Sequence, residues 1–284
     1  MRLDFPRELC EHGAPMGPAT QAGSHTANWI RRVERARELQ QHYPAAADIL
    51  RFYAEVLQLQ KRIAQSAHKV ADPDVPLNEQ IDLPAATRWM PHLLGIVETR
   101  GPVPLAELAI ALKTKDTETW RELLIAEAAG ELEQETTPER FFARTCLQPL
   151  AELLQAQYPA STDQSALLCS VCGHQPVLAI LRPEGEGARR SLFCSFCMRE
   201  WTFRRVLCPS CGETDRDKLP YYTAEQCKHI RVEACDTCRH YLKSVDLSLD
   251  GLAIPLVDEI ALAALDLWAV EHGYRKIAAN LMGL

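Results

Sequence analysis

The sequence predicts an α+β multidomain protein, in which an all-helical N-terminal domain precedes two zinc-ribbon-like metal-binding modules and a closing C-terminal helix. Two observations carry this prediction. Four Cys-x-x-Cys pairs lie between residues 169 and 238, and the preceding half shows a 3.6-residue apolar period without strand-like alternation. The expected divisions are a flexible N-terminal arm (1–24), a helical domain (25–160), a first module (166–206), a second module (207–250) and the C-terminal helix (251–284).

Length and composition narrow the class of protein. At 284 residues and 47% hydrophobic content, the chain is long enough for two domains and too apolar to be disordered. The net charge of −7 disfavours nucleic acid and anionic membranes as partners. The sequence has neither the apolar core of a secretory signal near its start nor a run of about 18 apolar residues. We therefore expect a cytoplasmic protein without membrane insertion, whose motif cysteines are thiolates on metal instead of disulfides.

Apolar spacing predicts the helices of the first half. Residues 25–42 place Trp29, Val33, Ala36 and Leu39 at helical intervals, and a second helix follows Pro44. The apolar stripe of that second helix comprises Ile49, Phe52, Tyr53, Val56, Leu59 and Ile63. The proline-rich segment 71–84 is expected to be a loop. Further helices are expected over 85–99, 104–113, 117–130 and 138–158.

The second half changes to strand signals. A polar linker at 159–165 precedes expected strands over 176–182 and 189–194, which flank a Glu-Gly-Glu-Gly turn as in a hairpin. Strands over 219–223 and 230–234 repeat this arrangement, and 241–247 adds another strand. A single helix over 258–272, apolar on several faces, is expected to close the chain.

Eight cysteines form the candidate metal-ligand set. Two intervening residues let the chain turn back so that both sulfurs of a pair point at one ion, and a tetrahedral site needs two such turns face to face. The expected metal ligands are Cys169, Cys172, Cys194, Cys197, Cys208, Cys211, Cys235 and Cys238. The remaining cysteines, Cys10, Cys146 and Cys227, have no such neighbour and are expected to be ordinary thiols, with a redox-accessible thiol as the alternative at Cys227.

An internal repeat favours sequential pairing of these cysteines. The first turn of each module ends in glycine, at Gly173 and Gly212, and 21 or 23 residues separate the two turns of a module. Sequential pairing puts Cys169, Cys172, Cys194 and Cys197 on one ion and the other four cysteines on a second ion. A cross-braced arrangement, in which the second pair joins the third across ten residues, is the alternative.

The donor set limits the chemistry. A four-cysteine site is coordinatively closed, so it offers no position for substrate or activated water. Tetrahedral sulfur accepts zinc or iron, and the sequence does not separate them. The chain has no GxSxG, HExxH, P-loop or GxGxxG motif, so we expect no enzymatic activity and no catalytic residue.

Arginines and aromatic residues alternate around the first module. The residues of this group are Arg189, Arg190, Phe193, Phe196, Arg199, Trp201, Phe203, Arg204 and Arg205. Three interpretations remain open: a hydrated outer face, a protein-docking surface, and a nucleic-acid surface. For docking, the candidate anchors are Arg199, Trp201, Arg204 and Arg205.

Several segments together resemble the FdhE family of formate dehydrogenase accessory proteins. They are 192–201 (LFCSFCMREW), 205–212 (RVLCPSCG), 233–243 (EACDTCRHYLK) and 258–268 (DEIALAALDLW) followed by Gly273-Tyr274, with a looser match at 51–54 (RFYA). The resemblance is good over residues 165–276 and includes all eight motif cysteines.

This resemblance implies two rubredoxin-like modules behind a helical domain, holding two iron ions, with zinc as the alternative. It also implies a cytoplasmic accessory protein, or chaperone, for the maturation of respiratory formate dehydrogenase, which binds the catalytic subunit of that enzyme. The alternatives are a rubredoxin-like electron carrier that serves the same enzyme and a nucleic-acid-binding zinc-ribbon protein.

Overall fold

The computed structural model describes residues 2–3, 25–67, 70–131 and 137–284. Most of the expected arm, 1–24, lies outside the described residues. Its exception is the strand β1 (Arg2–Leu3), which pairs in parallel with a strand of the C-terminal sheet at Thr223 and Ala224.

The first half is helical, as the periodicity predicts. Its helices are α1 (His25–His42), α2 (Ala47–Ser66), α3 (Leu77–Gln80), α4 (Leu83–Arg100), α5 (Val103–Lys113), α6 (Thr117–Ala128) and α7 (Pro138–Gln155). The expected apolar stripes are confirmed: Trp29, Val33, Ala36 and Leu39 of α1 are buried. In α2, Ile49 is half-buried and the other five stripe residues are buried.

The segment 71–84 departs from the prediction of a plain loop. It contains the single turn of α3, and Gln80 at the end of that turn bonds back to the segment. The Gln80 side-chain amide donates to the carbonyl oxygens of Asp72 and Val75, both at 2.7 Å, while its oxygen accepts from the Asp72 N–H. These local bonds satisfy backbone groups that would otherwise need water. The prolines of the segment do not predict them, since the bonds depend on the Gln80 side chain.

The second half builds one twisted sheet. Its strands are β2 (Pro176–Glu184), β3 (Gly187–Cys194), β4 (Glu200–Thr202), β5 (Tyr221–Ala224), β6 (Ile230–Ala234), β7 (His240–Asp246) and β8 (Arg275–Lys276). The strand order is β1-β5-β6-β7-β2-β3-β4, with β8 against β7. The two expected hairpins are present as β2–β3 and β5–β6. They are joined by the parallel pair β2–β7, so both cysteine modules share one sheet.

The closing segment contains two helices where the sequence predicts one. These helices are α8 (Pro255–Ala261) and α9 (Ala263–Glu271), separated by Leu262 with φ −105° and ψ 45°. The buried ammonium of Lys243 on β7 donates to the carbonyl oxygens of Glu259 at 2.5 Å and Leu262 at 3.3 Å. The break is stable because a charged donor satisfies carbonyls that the helix leaves free.

The main apolar core crosses from the helices into the sheet. It combines the inner faces of α1, α2, α4 and α7 with Leu192, Phe196, Trp201 and Phe203 around the first cysteine cluster. A second core packs β5, β6 and β7 against α9. Within the described part of the chain, no helix has the length and apolar content needed to cross a membrane.

Candidate metal centres

Each Cys-x-x-Cys pair forms the same backbone turn. The N–H of the first cysteine donates to the carbonyl five residues later in all four turns, at 2.8–3.0 Å. At Cys169, Cys208 and Cys235, the carbonyl of the first cysteine also accepts from the N–H four residues later. Backbone N–H groups approach sulfur as well, from Phe196 to Cys194 and from Ser210 to Cys208, both at 3.4 Å. The spacing is therefore sufficient to specify the local geometry.

The residue after each second cysteine has a left-handed backbone. Gly173 and Gly212 both have φ 76°, as the glycines predict. Met198 and Arg239 occupy the same position in the other two turns, with φ 63° and 59°. For a side chain larger than hydrogen this conformation is costly. The left-handed conformation of Met198 and Arg239 is therefore predicted by the fourfold repeat of the turn and not by the presence of glycine.

The turns bring the sulfurs together in two groups of four. In the first cluster, the sulfurs of Cys172 lie 3.4 Å from those of Cys194 and Cys197, and Cys169 lies 3.6 Å from Cys197. In the second cluster, the sulfur pairs Cys208–Cys238 and Cys211–Cys235 are 3.8 and 3.7 Å apart. All sulfurs within a cluster lie within 4.8 Å of one another. This is the grouping of the sequential arrangement and not of the cross-braced one.

Both clusters fit a tetrahedral metal ion. Four sulfurs at about 2.3 Å from one ion are separated from each other by about 3.8 Å. The distances observed between sulfurs, 3.4–3.8 Å, are close to that separation. Each cluster could therefore hold one metal ion, and a set of four sulfurs suits either zinc or iron.

The first cluster is embedded between the sheet and helix α7. Cys194 and Cys197 are fully buried, and Cys169 is 3% exposed. The Gln148 side chain on α7 donates to the carbonyl of Ser195 at 2.9 Å. The His174 ring stacks on Phe196, with centroids 4.4 Å apart. The packing of the helical domain therefore depends on the first cluster, and the packing of the first cluster depends on the helical domain.

The second cluster reaches the surface. Cys211 is exposed and Cys238 is half-exposed, whereas Cys208 and Cys235 are buried. Its rim is polar, with Thr237 donating to the Glu213 carboxylate at 2.6 Å. Water and small molecules can therefore reach one side of this cluster.

The difference in exposure between the two clusters predicts that their metal ions are released one after the other. In protein loaded with two ions, a chelator should remove one ion per chain from the second cluster before it removes the ion of the first, since exposed thiolates exchange more readily than buried ones. Release can be followed with a colorimetric metal indicator under reducing conditions. The control is Cys235→Ser/Cys238→Ser, which should lack the fast phase. A fast phase that persists in this variant would contradict the assignment.

The expected docking anchors are partly wrong. Trp201 is 5% exposed and its indole N–H donates to the Ala166 carbonyl at 3.0 Å. Arg199 donates to the carbonyls of Gln155 at 2.8 Å and Tyr158 at 3.1 Å, so it satisfies the C-terminal end of α7. Both side chains are used internally, because the sheet packs against the helical domain on this face. Arg204 and Arg205 are exposed, as a docking surface requires.

Arg190 is also an internal residue. It is 4% exposed and donates from Nε and Nη2 to the Glu233 carboxylate, at 2.9 and 2.7 Å. Burial alone would raise the pKa of Glu233, but Arg190 and Arg231 lower it to about 2. This pair connects β3 of the first module with β6 of the second. Its stabilisation is present above the carboxyl group's ordinary pKa of about 4.3 and is lost as the pH falls towards 2.

One further group of described residues has the spacing of metal ligands, and three cysteines of the sequence lie outside the two clusters. His229, Asp250 and Asp258 lie together, but the guanidinium of Arg35 bonds to both carboxylates, at 2.6 Å from Asp258 and 3.0 Å from Asp250. Among the other cysteines, Cys146 is fully buried, and burial raises the pKa of its thiol to about 12. The expectation of an ordinary thiol at Cys227 is wrong, because Cys227 is buried beside β6 and is disulfide-bonded. Cys10 lies outside the described residues.

The fold and the clusters together define a class of protein: a helical domain fused to a sheet that carries two four-cysteine metal centres. The comparisons show which family resembles this chain within that class. Residues 168–205 match the family model "FdhE, central domain" and residues 206–282 match "FdhE, C-terminal domain". The sheet with its two cysteine clusters is therefore similar to the central and C-terminal domains of the FdhE family.

Relatives match along most of the chain. "Protein FdhE homolog" of Aquifex aeolicus is 27% identical over 271 residues, covering 88% of this chain and 94% of the relative. "Protein FdhE" of Escherichia coli K12 is 26% identical and covers 88% of this chain and 86% of the relative. The crystal structure of the FdhE protein from Pseudomonas aeruginosa has the same fold, with a TM-score of 0.74, 24% identity and coverage of 90% of this chain and 96% of that one.

Proposed function

We propose that this protein is a non-enzymatic accessory factor in the maturation of respiratory formate dehydrogenase, and that it binds the catalytic subunit of that enzyme in the cytoplasm. The observation that carries this proposal is the pair of closed four-cysteine clusters in a chain that resembles the FdhE family. Sites filled by four sulfurs provide no open coordination position, so they suit structure, docking or electron transfer better than hydrolysis.

For the metal, we propose two iron ions held by the eight motif cysteines. The backbone turns are compatible with iron, because N–H groups that point at sulfur stabilise a metal-bound thiolate and would tune the reduction potential of an iron ion held there. Zinc is the alternative, since it accepts the same four ligands. Metal analysis of protein purified without added metal, together with its visible absorption spectrum, distinguishes the two.

The docking surface is proposed beside the second cluster. Arg204, Arg205 and Val206 are exposed in the connection between the modules, and Val206 has 44% of its surface exposed. Tyr221 is 53% exposed and lies under the Arg231 guanidinium, 5.0 Å from the ring centroid. Arginine and tyrosine are frequent in the centres of protein interfaces. These residues form what we call the Arg205 patch: Arg204, Arg205, Val206, Tyr221 and Arg231.

The Arg205 patch yields a direct test. The variant Arg204→Ala/Arg205→Ala/Tyr221→Ala should bind the catalytic subunit at least about tenfold more weakly, since interface hot spots each contribute more than about 1.4 kcal/mol. Its metal content should not change, because none of the three is a ligand. Binding is measured with purified subunit or by co-purification from cell extract. The control is Arg88→Ala/Arg121→Ala, which removes two exposed arginines from the helical domain.

Failure has two distinguishable forms. Wild-type protein that does not retain the catalytic subunit, together with a deletion strain that oxidises formate normally, would overturn the proposed function. Equal binding by the triple variant and the wild type would instead show that the catalytic subunit does not dock on the Arg205 patch. The proposed function would not be contradicted by that result.

A rubredoxin-like electron carrier is the second candidate, and the exposure of the second cluster favours it. Electron transfer needs a centre close to the surface, and Cys211 of the second cluster is exposed, whereas the first cluster has only the partly exposed Cys172 near the surface. Reversible reduction of bound iron, with transfer to formate dehydrogenase at a useful rate, would support this candidate. The nucleic-acid alternative loses support, because Arg190 and Arg199 of its expected surface are committed to internal bonds.

A further inference from the structure

A small pocket lies at the Arg205 patch, where the two modules meet. Its volume is about 90 Å³. Residues of the patch and of the second cluster line it, among them Arg205, Tyr221, Arg231, Cys208 and Cys235. Pockets that enclose whole small molecules are larger, at about 300–1,000 Å³. The size of this pocket therefore suits one polar side chain of a partner better than a free small molecule.

Positive charge exceeds negative charge at this pocket. Three guanidiniums line it, those of Arg190, Arg205 and Arg231, and Glu233 is the one acidic residue among the described residues of its wall. Arg190 donates to one oxygen of the Glu233 carboxylate, from Nε at 2.9 Å and from Nη2 at 2.7 Å. Arg231 donates to the other oxygen, from Nε at 3.0 Å and from Nη2 at 2.6 Å. Both oxygens of the carboxylate are therefore occupied, and three positive charges face one negative charge.

The third guanidinium, that of Arg205, is exposed. Within the described part of the chain it forms no hydrogen bond and no ion pair. Arg205 differs in this respect from Arg190 and Arg231, whose charge is largely neutralised by Glu233. A carboxylate from a partner can therefore pair with Arg205 without breaking an existing ion pair, and all the donors of this side chain remain available to it.

The backbone that carries Arg205 is held in place by the buried Arg190. Nη1 of Arg190 donates to the Arg204 carbonyl at 3.0 Å. The Phe203 N–H donates to the Arg190 carbonyl at 2.9 Å, and the Arg204 N–H donates to the Gln164 carbonyl at 3.0 Å. A backbone that is already ordered loses less entropy when a partner binds. Arg205 is therefore presented in a position prepared for an interface.

Apolar surface adjoins the charged pocket. Val206 and Tyr221 are 44% and 53% exposed. Leu219 and Pro220 line the pocket and are half-buried. A partner segment that combines acidic with apolar residues would cover this surface while its carboxylate pairs with Arg205. Exclusion of water by the apolar contacts would strengthen that ion pair.

We propose that this pocket receives an aspartate or glutamate side chain from an acidic segment of the docking partner. The inference rests on the proposed function for the identity of that partner, the catalytic subunit. The chemistry of the segment follows from the pocket itself, since a guanidinium pairs with a carboxylate through two parallel hydrogen bonds. Nucleic acid fits less well, because its binding needs basic residues along many phosphates, whereas this chain has a net charge of −7.

The experiment measures the binding of labelled probes to the full-length, metal-loaded protein by fluorescence anisotropy. The probes are a capped octapeptide that alternates glutamate with leucine, the matched peptide with glutamine in place of glutamate, and an oligothymidylate of eight nucleotides. We expect the glutamate peptide to bind at least about tenfold more tightly than the glutamine peptide. The affinity of the glutamate peptide should fall as the salt concentration is raised, because partly exposed charges are screened.

Matched charge reversals locate the site. Arg205→Glu reverses one charge of the pocket without removing an internal bond, and it should weaken binding of the glutamate peptide at least about tenfold. The control Arg88→Glu makes the same change of net charge at an exposed arginine of α4 and should bind the peptide like the wild type. Metal content and the thermal unfolding midpoint, which neither change should alter, are measured for both variants. Purified catalytic subunit should show the same order of affinities.

Three outcomes would overturn the proposal: the glutamate peptide binds no more tightly than the glutamine peptide, Arg205→Glu binds the glutamate peptide like the wild type, or the oligothymidylate binds more tightly than the glutamate peptide. The peptide measurements do not involve formate dehydrogenase. If they succeed while the wild-type protein does not retain the catalytic subunit, the proposed function fails and the pocket stands. If the subunit binds Arg205→Glu and the wild type equally, this inference fails and the proposed function stands.

Discussion

Replacing Cys169 and Cys172 by serine is expected to remove one metal ion per chain and to destabilise the whole protein. Bound zinc contributes about 10–16 kcal/mol in zinc-finger peptides, which is comparable to the entire folding free energy of about 5–15 kcal/mol of a typical domain. Three cysteines of this cluster belong to the core that the sheet shares with the helical domain. Loss of the metal therefore affects the helices as well as the module.

The matched control is the same change in the second cluster, Cys235→Ser/Cys238→Ser. It should also lose one ion per chain, but the first cluster and the helical domain should keep their structure, because the second cluster adjoins a separate core. Elemental analysis gives the metal content, which should be near two ions for the wild type. Thermal unfolding followed by far-ultraviolet circular dichroism should show the larger decrease for the first-cluster variant.

Two results would contradict this account. Loss of both ions from each variant would mean that the two sites depend on each other in a way that the separate groups of sulfurs do not explain. A metal content near one in the wild type would mean that one cluster binds no metal.

The cysteine clusters could be predicted from the sequence because their chemistry is local. Each turn is closed by hydrogen bonds within six consecutive residues, so the pattern Cys-x-x-Cys is enough to specify it. The helices of the first half were predictable for a similar reason, since their apolar stripes follow the helical period. Differences of a few residues occur at the helix ends, where α6 and α7 stop at Ala128 and Gln155.

Features that depend on distant contacts could not be predicted. The parallel pairing of β2 with β7 unites the two modules, and it joins residues 65 positions apart, such as Leu178 and Lys243. The roles of Arg199 and Trp201 depend on how the sheet packs against α7, which no local pattern encodes. The proposed divisions between modules stay predictions, and the one at 206–207 falls inside the region spanned by a common sheet.

The break between α8 and α9 also depends on contacts between residues distant in sequence. The charged residues that stabilise it give the second prediction with a large expected effect on stability. Lys243 is fully buried and lies 3.0 Å from the Glu259 carboxylate, and it also pairs with Asp266. Lys276 pairs with both carboxylates, at 3.2 Å from Asp266. Two ammonium groups and two carboxylates make a neutral network. The Tyr241 hydroxyl adds a hydrogen bond to Asp266 at 2.9 Å.

Lys243→Met is expected to lower the free energy of unfolding by about 3–5 kcal/mol at pH 7, because it leaves two buried carboxylates facing the single ammonium of Lys276 and so one buried negative charge uncompensated. It also removes the donor to the carbonyls at the helix break. Chemical denaturation of the metal-loaded protein measures the change. The control Lys228→Met removes an exposed lysine that forms a surface pair with Glu225 and should stay within about 0.5 kcal/mol of the wild type.

A double variant and the pH dependence separate charge from packing. Burial raises the pKa of Asp266, but Lys243 and Lys276 outweigh it and hold that pKa below its ordinary value. The wild-type network therefore stabilises the fold above the ordinary aspartate pKa of about 3.9 and loses this contribution as the pH falls below it. In Lys243→Met the Asp266 carboxyl can take up a proton. The loss of unfolding free energy relative to the wild type should therefore become smaller as the pH is lowered towards 5. Lys243→Met/Asp266→Asn restores neutrality and should recover part of the loss at pH 7. A single variant within about 1 kcal/mol of the wild type would show that the network does not hold the closing helices.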